Sequence, residues 1–498
     1  MHQRSYFFRA SRYNMENTMT GLTGRATWAI RGGALVMLLT LGACAGFSSD
    51  GGYDFVQSTA RERIGKEVKW VKSEADADNV RATVKGLLAN PLSVDDAVQI
   101  ALLNNRGLQA TYAELGIAES DLVQAGRLRN PGFSYRNVHG GAEFNIERAL
   151  TFDFMQLITM PLATKLERRR FEATQFRVAA EVLQVAVQTR KAYFNSVSAR
   201  QMASYMEDVK VSAEAGAEIA RRMAGVGNWN KLNQAREHVF YAEATARLAR
   251  ARLDSVAQRE QLTRLLGVWG EDTKYKLPDR LPDLPKLASD LTDVESLALK
   301  QRLDIRAMRS DMEGLATSLG LSKATRFINV LELGPSEVRD SNAPIKRGYQ
   351  ISVELPIFDW GTARVGKAEA IYMQAVNRAA EVAINARSEV RESYAGYLTA
   401  YELARHYRDE IVPLRKQISD ENLLRYNGML ISVFELLADA REQVSSVNSY
   451  IEALRDYWLA DAELQMAFVG KADAGAAAGM RASPGKFATT TGRENGSR

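Results

Sequence analysis

The chain has 498 residues, 46% of them hydrophobic and 25% charged, with a net charge of +5. That length allows roughly two to four domains. So small a charge gives no footing for nucleic acid, and the four histidines (His2, His139, His238, His406) stand too far apart in sequence for metal-ligand spacing.

The N-terminus reads as a secretory signal. Arg25 and Arg31 precede an apolar run from Ala34 to Leu41, which is far too short to cross a bilayer as a helix. The run ends in Leu41-Gly42-Ala43-Cys44. This resembles a bacterial lipobox, which implies a lipidated (palmitate-bearing) Cys44 as the first mature residue. Ala45, where some lipoproteins carry aspartate, implies sorting to the outer membrane. A signal peptide with a chance cysteine is the alternative. Residues 1–43 are thus expected to be a signal peptide, with Met15 or Met19 as alternative starts. Acylation of the single cysteine would leave no disulfide. Residues 44–91 are polar, with Gly51-Gly52 and the acidic Glu74, Asp76 and Asp78. They are expected to be a lipidated linker with one short helix.

A helix is predicted from Leu92 to about Ala125, with Ser93 as N-cap and Asp96 three residues on, close to a capping box. Asn130-Pro131-Gly132 breaks it. Two short strands follow. Phe133 and Tyr135 alternate with Ser134 and Arg136; after Gly140-Gly141, Leu150, Phe152 and Phe154 alternate with Thr151 and Asp153. Each is near the about 9–11 residues of a tilted transmembrane strand. Pro161-Leu162 is expected to open a helix to about Arg222, some 60 residues or roughly 90 Å. Its seam, Phe176, Ala180, Leu183, Val187, Arg190, Phe194 and Val197, has coiled-coil spacing with one polar miss. Arg168-Arg169-Arg170 reads as a solvated helix face. The chain turns at Gly225-Val226-Gly227-Asn228, returns to Leu265-Leu266-Gly267 and passes through a connector, 271–290, marked by Pro278, Pro282 and Pro285.

Then the plan repeats. Arg302-Leu303-Asp304-Ile305-Arg306-Ala307 parallels Asn105-Arg106-Gly107-Leu108-Gln109-Ala110, Pro356-Ile357 parallels Pro161-Leu162, and Ala440-Arg441-Glu442 parallels Ala235-Arg236-Glu237, at offsets of about 195 to 205. The two copies span 92–270 and 291–470. The second has a helix over 292–323, a strand near Phe327–Leu333, a polar loop from Gly334 to Arg347, and a strand in which Tyr349, Ile351, Val353 and Leu355 alternate with Gln350, Ser352 and Glu354. Pro356-Ile357-Phe358-Asp359-Trp360-Gly361 leads into a helix ending near Leu424. Tyr426-Asn427-Gly428 turns the chain, and a last helix reaches about Phe468. Its seam is Leu437, Ala440, Val444, Val447, Ile451, Leu454 and Trp458. The tail, 471–498, is Ala/Gly-rich and then polar, and is expected to be disordered.

Each half therefore reads as helix, two strands, long helix, turn and returning helix: mainly α, with long antiparallel coiled-coil hairpins and a small β part. Four strands cannot close a barrel, since about eight is the smallest closed number. Open edges facing lipid would leave N–H and C=O groups unpaired. Three copies would supply about twelve strands, an acceptable barrel.

This order of motifs resembles the TolC-type outer membrane efflux family, in its lipoprotein branch. The resemblance covers about 92–468. It rests on Leu355-Pro356-Ile357-Phe358-Asp359-Trp360-Gly361, Arg302-Leu303-Asp304-Ile305-Arg306-Ala307, Arg264-Leu265-Leu266-Gly267 and the turns at Gly225 and Gly428. It implies a homotrimer in outer-membrane lipid, a shared twelve-stranded β-barrel and a helical α-barrel reaching into the periplasm. It also implies docking to a periplasmic adaptor and an inner-membrane pump, with passive transmembrane efflux as the function. Asp153, Gln350, Ser352 and Glu354 are then expected to face the lumen, with Phe152, Phe154, Ile351 and Val353 facing lipid. Gly225, Gly227, Tyr426 and Gly428 mark the expected periplasmic tips. Leu430 and Ile431 stand where the family carries a gating arginine, so no gate is assigned. The first-copy Pro161-Leu162-Ala163-Thr164 lacks the aromatic of its counterpart.

No Walker A loop, full dinucleotide fingerprint or Gly-x-Ser-x-Gly is present, so no enzyme and no cofactor or metal is expected. A periplasmic adaptor lipoprotein is the nearer alternative, but such proteins carry one hairpin flanked by β-rich domains. A coiled-coil scaffold would have no need of two-faced strands.

Overall fold

The computed structural model describes residues 46–328 and 330–470; the signal segment, Cys44 and the tail from 471 lie outside the described residues. The stretch expected as a linker carries two helices, α1 (Tyr53–Ile64) and α2 (Glu74–Leu88). Ser73 caps α2 by accepting the Asp76 N–H, and a left-handed Gly65 ends α1. Their polar composition hides them because each buries only a narrow stripe: Val56 and Ala60 on α1, Val80 and Val84 on α2.

The helix predicted from Leu92 is two helices. Ser93 caps α3 (Val94–Asn104) as expected, the chain goes extended at Asn105, and α4 (Arg106–Ala125) follows. Strands β1 (Gly132–Gly140) and β2 (Glu143–Asp153) are next. Phe154 is not in a strand: it begins α5 (Phe154–Gly225), a helix of 72 residues. That is roughly 110 Å at about 1.5 Å per residue. The expected start at Pro161 is corrected, since Pro161 lies inside the helix. The start is set by Asp153, whose Oδ1 accepts the Gln156 N–H at 2.9 Å. Then α6 (Lys231–Leu266) begins at Asn230 and ends at a left-handed Gly267.

The helix expected over 292–323 is broken at an extended Arg302 into α7 (Val294–Gln301) and α8 (Leu303–Ala324). Strand β3 (Leu331–Asp340) occupies much of what reads as a loop, and β4 (Lys346–Val353) stops short of Glu354 and Leu355. Gly334-Pro335 looks like a strand breaker but is accommodated. The β2–β3 pairing is interrupted between Ala149↔Ser336 and Phe152↔Leu333, where Pro335 has no N–H to donate, while β3–β4 pairing continues through Pro335↔Tyr349. A Cβ on Gly334 would overlap the Leu150 carbonyl oxygen, so only glycine allows this approach.

From a left-handed Gly361, α9 (Thr362–His406) runs into one π turn (Tyr407–Ile411), then α10 (Val412–Asn427) and α11 (Val433–Val469). Pro413 sits just past the π turn, and the widened bond from Val412 N–H to the Tyr407 carbonyl keeps the helix hydrogen-bonded up to it.

Two compact units result. One holds Ser120–Thr164 and Ile328–Leu355; the other holds Ser49–Glu119, Lys165–Phe327 and the chain from Pro356 on. The second has its main core where α1 to α4, the middle of α5, the end of α6, the connector residues Leu277, Leu281 and Leu284, α9 and the end of α11 meet. The α5 seam is buried at Ala180, Leu183, Val187, Phe194 and Val197, and Phe194 stacks on Trp458 at 5.1 Å. Arg190, the polar miss, donates to Gln465 at 2.7 Å. In the α11 seam Ile451 and Leu454 are buried, but Ala440 is exposed.

Candidate barrel wall and helix tips

The four strands form one antiparallel sheet in the order β1-β2-β3-β4. Residues opposite one another across antiparallel strands share a face, so the register assigns every side chain to one of two faces. One face carries Phe133 and Tyr135 from β1, Leu150 and Phe152 from β2, Leu331 and Leu333 from β3, and Tyr349, Ile351 and Val353 from β4. The other carries Ser134 and Arg136, then Glu147, Thr151 and Asp153, then Glu332 and Ser336, then Gln350 and Ser352. The salt bridges Arg136–Glu147 (3.2 Å) and Arg347–Glu337 (3.1 Å) lie between cross-strand partners and agree with that division. The apolar face stays in the open: Phe133 is 69% exposed and Ile351 57%.

Of the residues expected to face a lumen, Asp153, Gln350 and Ser352 share the polar face; Phe152, Ile351 and Val353 share the apolar one. Glu354 falls outside β4, though its N–H reaches the Val330 carbonyl at 3.4 Å. Asp153 has a second task as the α5 cap, and Arg129 approaches it at 3.6 Å. Alternation alone missed Glu332, the cross-strand partner of both Asp153 and Ser352.

The helix tips are built alike. At the end of α5, Asn228 N–H bonds the Met223 carbonyl and Gly227 N–H the Ala224 carbonyl, with Gly227 left-handed at φ 78. This is a Schellman motif. At the end of α10, Leu430 N–H bonds Arg425 and Met429 N–H bonds Tyr426. The second tip therefore repeats the motif with Met429, at φ 61, where the first has Gly227. Gly428, expected to be the turn glycine, has an ordinary φ of −80, and Gly225 is simply the last residue of α5. Met429 is 93% exposed, Leu430 78% and Val226 72%. Asn230 and Ser432 then cap the returning helices, Ser432 in a full capping box with Glu435.

The repeated sequence anchors are clamps. In the first copy Asn104 donates to the Leu266 and Gly267 carbonyls and Asn105 to that of Leu265, holding the end of α6. In the second, buried Arg302 grips Asp304 and Glu389 and donates to the Ala467 carbonyl near the end of α11. Asp359 accepts the Gly361 N–H at 2.8 Å and Arg326 holds the Trp360 carbonyl, so Asp-Trp-Gly is the turn that starts α9.

Solved structures share this arrangement. CusC, a structure concerned with transmembrane channel formation, matches with a TM-score of 0.62 at 18% identity, over 76% of this chain and 92% of that one. The outer-membrane channel OprN matches at 0.64 and 16% identity, over 84% and 96%. The Campylobacter jejuni CmeC outer membrane channel matches at 0.60 and 17%, over 83% and 91%.

The chain has the fold of these outer-membrane channels.

A curated relative, the cobalt-zinc-cadmium resistance protein CzcC of Cupriavidus metallidurans, is 23% identical over 283 residues, which is 54% of this chain and 64% of the relative. The chain thus spans under two thirds of that protein's length. No family model matches the chain. Within this fold, no described helix is long and apolar enough to cross a membrane, and no group of three or more metal-ligating side chains gathers among the described residues. Burial raises the pKa of Asp311 on α8 from its ordinary value, against the pull of Arg177 at 2.5 Å. Asp461 is raised by burial in the same sense, with Arg190 opposing.

Proposed function

We propose that this chain is the outer-membrane exit duct of a tripartite efflux system. In this reading it assembles as a homotrimer and passively conducts cargo delivered by a periplasmic adaptor and an inner-membrane pump. The observation that carries the reading is the sheet, which has one exposed apolar face, one polar face and two open edges. A soluble protein would cover such a face or blunt such edges. Three copies joined edge to edge would close about twelve strands, leaving no backbone group unpaired in lipid. Asp153, Gln350, Ser352 and Glu354 would then line water, and the tips 224–230 and 426–432 would meet the adaptor through Val226, Met429 and Leu430. Cys44 would add a lipid anchor. The duct has no catalytic role in this reading.

The test is cysteine labelling of the full chain in outer-membrane vesicles. Ile351→Cys should react with a lipid-soluble photolabel and Ser352→Cys with a water-soluble maleimide, and the unboiled protein should run as a heat-modifiable trimer. The reverse labelling pattern, or a detergent-free soluble monomer, overturns the reading.

The charge on the polar face favours cations as cargo, the class that the name of CzcC also brings. Arg136 and Lys346 are paired with Glu147 and Asp340, and Arg129 reaches Asp153 at 3.6 Å, while Glu332 beside it has no ion pair among the described residues. In planar bilayers a salt gradient should give a reversal potential of cation-selective sign, moved toward zero by Glu332→Gln. An anion-selective potential would refute the cationic preference alone.

A further inference from the structure

We propose that the apolar face of the sheet ends, toward its turns, in a basic belt that binds the phosphate groups of lipid in the outer leaflet. The inference rests on the membrane-duct reading above.

The register sets out the rows of that face. Starting from the helix-bearing end, Leu331 pairs with Val353, then Phe152 with Leu333 and Ile351; Phe133 pairs with Leu150, and Pro335 with Tyr349. These rows are apolar, and their last members are rich in aromatics. The next row is Tyr135, Arg148, Glu337 and Arg347, followed by Asn137, Ile146 and Arg339. The face therefore changes within one row from apolar to charged, with aromatic rings at the boundary, as lipid-facing barrel walls do where hydrocarbon gives way to headgroups.

The charge beyond that boundary has a sign. Three arginines face one glutamate, and that glutamate holds Arg347 at 3.1 Å. Arg148 and Arg339 are exposed and form no ion pair among the described residues. The opposite face has the contrary balance, with Glu147, Asp153, Glu332 and Asp340 against Arg136 and Lys346. A surplus of cations on the lipid side only, at headgroup height, is complementary to an anionic lipid surface. Guanidinium groups also bind phosphate oxygens in a fork that lysine cannot reproduce. The belt lies at the end of the sheet that carries the turns after Gly140 and Asp340. In the duct reading the chain enters and leaves the sheet, at Gly132, Asp153, Leu331 and Val353, on the periplasmic side, so the turn end meets the outer leaflet, whose lipids are phosphorylated glycolipids.

The experiment uses the full-length trimer in phosphatidylcholine nanodiscs, titrated with fluorescent lipid A or with the same lipid A after dephosphorylation. Lipid A should be retained and the dephosphorylated probe should not. Arg148→Gln and Arg339→Gln should each weaken retention about fivefold at low salt, with the effect shrinking as salt rises. Glu337→Gln should strengthen it, and Arg136→Gln, on the other face, should leave it unchanged. Equal retention of both probes, or an Arg148→Gln/Arg339→Gln protein that retains lipid A like the parent, overturns the proposal while leaving the duct reading intact. A chain that never inserts into the nanodisc overturns both.

Discussion

Glu237 and Arg441 form a salt bridge between α6 and α11, with the Glu237 side chain only 2% exposed. Arg441 also lies over the Phe240 ring at 4.7 Å. The two residues belong to the repeated Ala-Arg-Glu anchors: the glutamate of the first copy meets the arginine of the second, joining the two hairpins above their tips. Arg441→Met should destabilise the protein by about 3 kcal/mol, because it leaves a buried carboxylate without its cation. Adding Glu237→Gln should recover part of the loss. Unfolding midpoints of the single and double variants check this; strictly additive losses would contradict a coupled pair.

Met429 occupies a left-handed conformation that costs a residue with a Cβ about 1–2 kcal/mol. Met429→Gly should therefore raise local stability at the second tip by about 1 kcal/mol, read as slower amide hydrogen exchange in α10 and α11. Gly227→Ala should lower it at the first tip by a similar amount. If Met429 is kept to offer its side chain to the adaptor, Met429→Gly will also weaken adaptor crosslinking while the helices become firmer.

Gly334→Ala should disrupt the sheet, since the added methyl overlaps the Leu150 backbone rather than a side chain that could turn away. A cost of about 3 kcal/mol or more is expected. The measurement is the yield of heat-modifiable trimer, which should fall sharply. Gly348→Ala is the control: its Cβ would meet nothing closer than Ser336 Oγ at 3.8 Å, so that variant should assemble normally.

Asp311 has its pKa raised by burial. Between its unfolded value and that raised value the folded chain holds the extra proton, so stability is fullest at the acid end and declines as pH rises through the interval. Denaturation across that interval should show this negative slope, and Asp311→Asn should flatten it.

Much of this fold lies open in the linear pattern. The long helices follow from apolar seams, the places of the tips from the turns at Gly225-Val226-Gly227-Asn228 and Tyr426-Asn427-Gly428, and the two-faced strands from Phe152 beside Asp153 and Ile351 beside Ser352. These signals are local, set by neighbours within a few residues. What needed the tertiary structure was set by partners far away in the chain. Gly334-Pro335 reads as a break, yet sits in β3 because the Leu150 backbone comes close and β4 continues the pairing. Asp153 reads as a wall residue, yet also starts α5 and carries it past Pro161. The polar stretch before Leu92 reads as linker, yet folds as α1 and α2, because a stripe of valines finds a core supplied by α3 and α4. That Arg148, Glu337 and Arg347 fall in one row, with Arg339 in the next, was decided only by the register, since a shift of one residue would turn every side chain over.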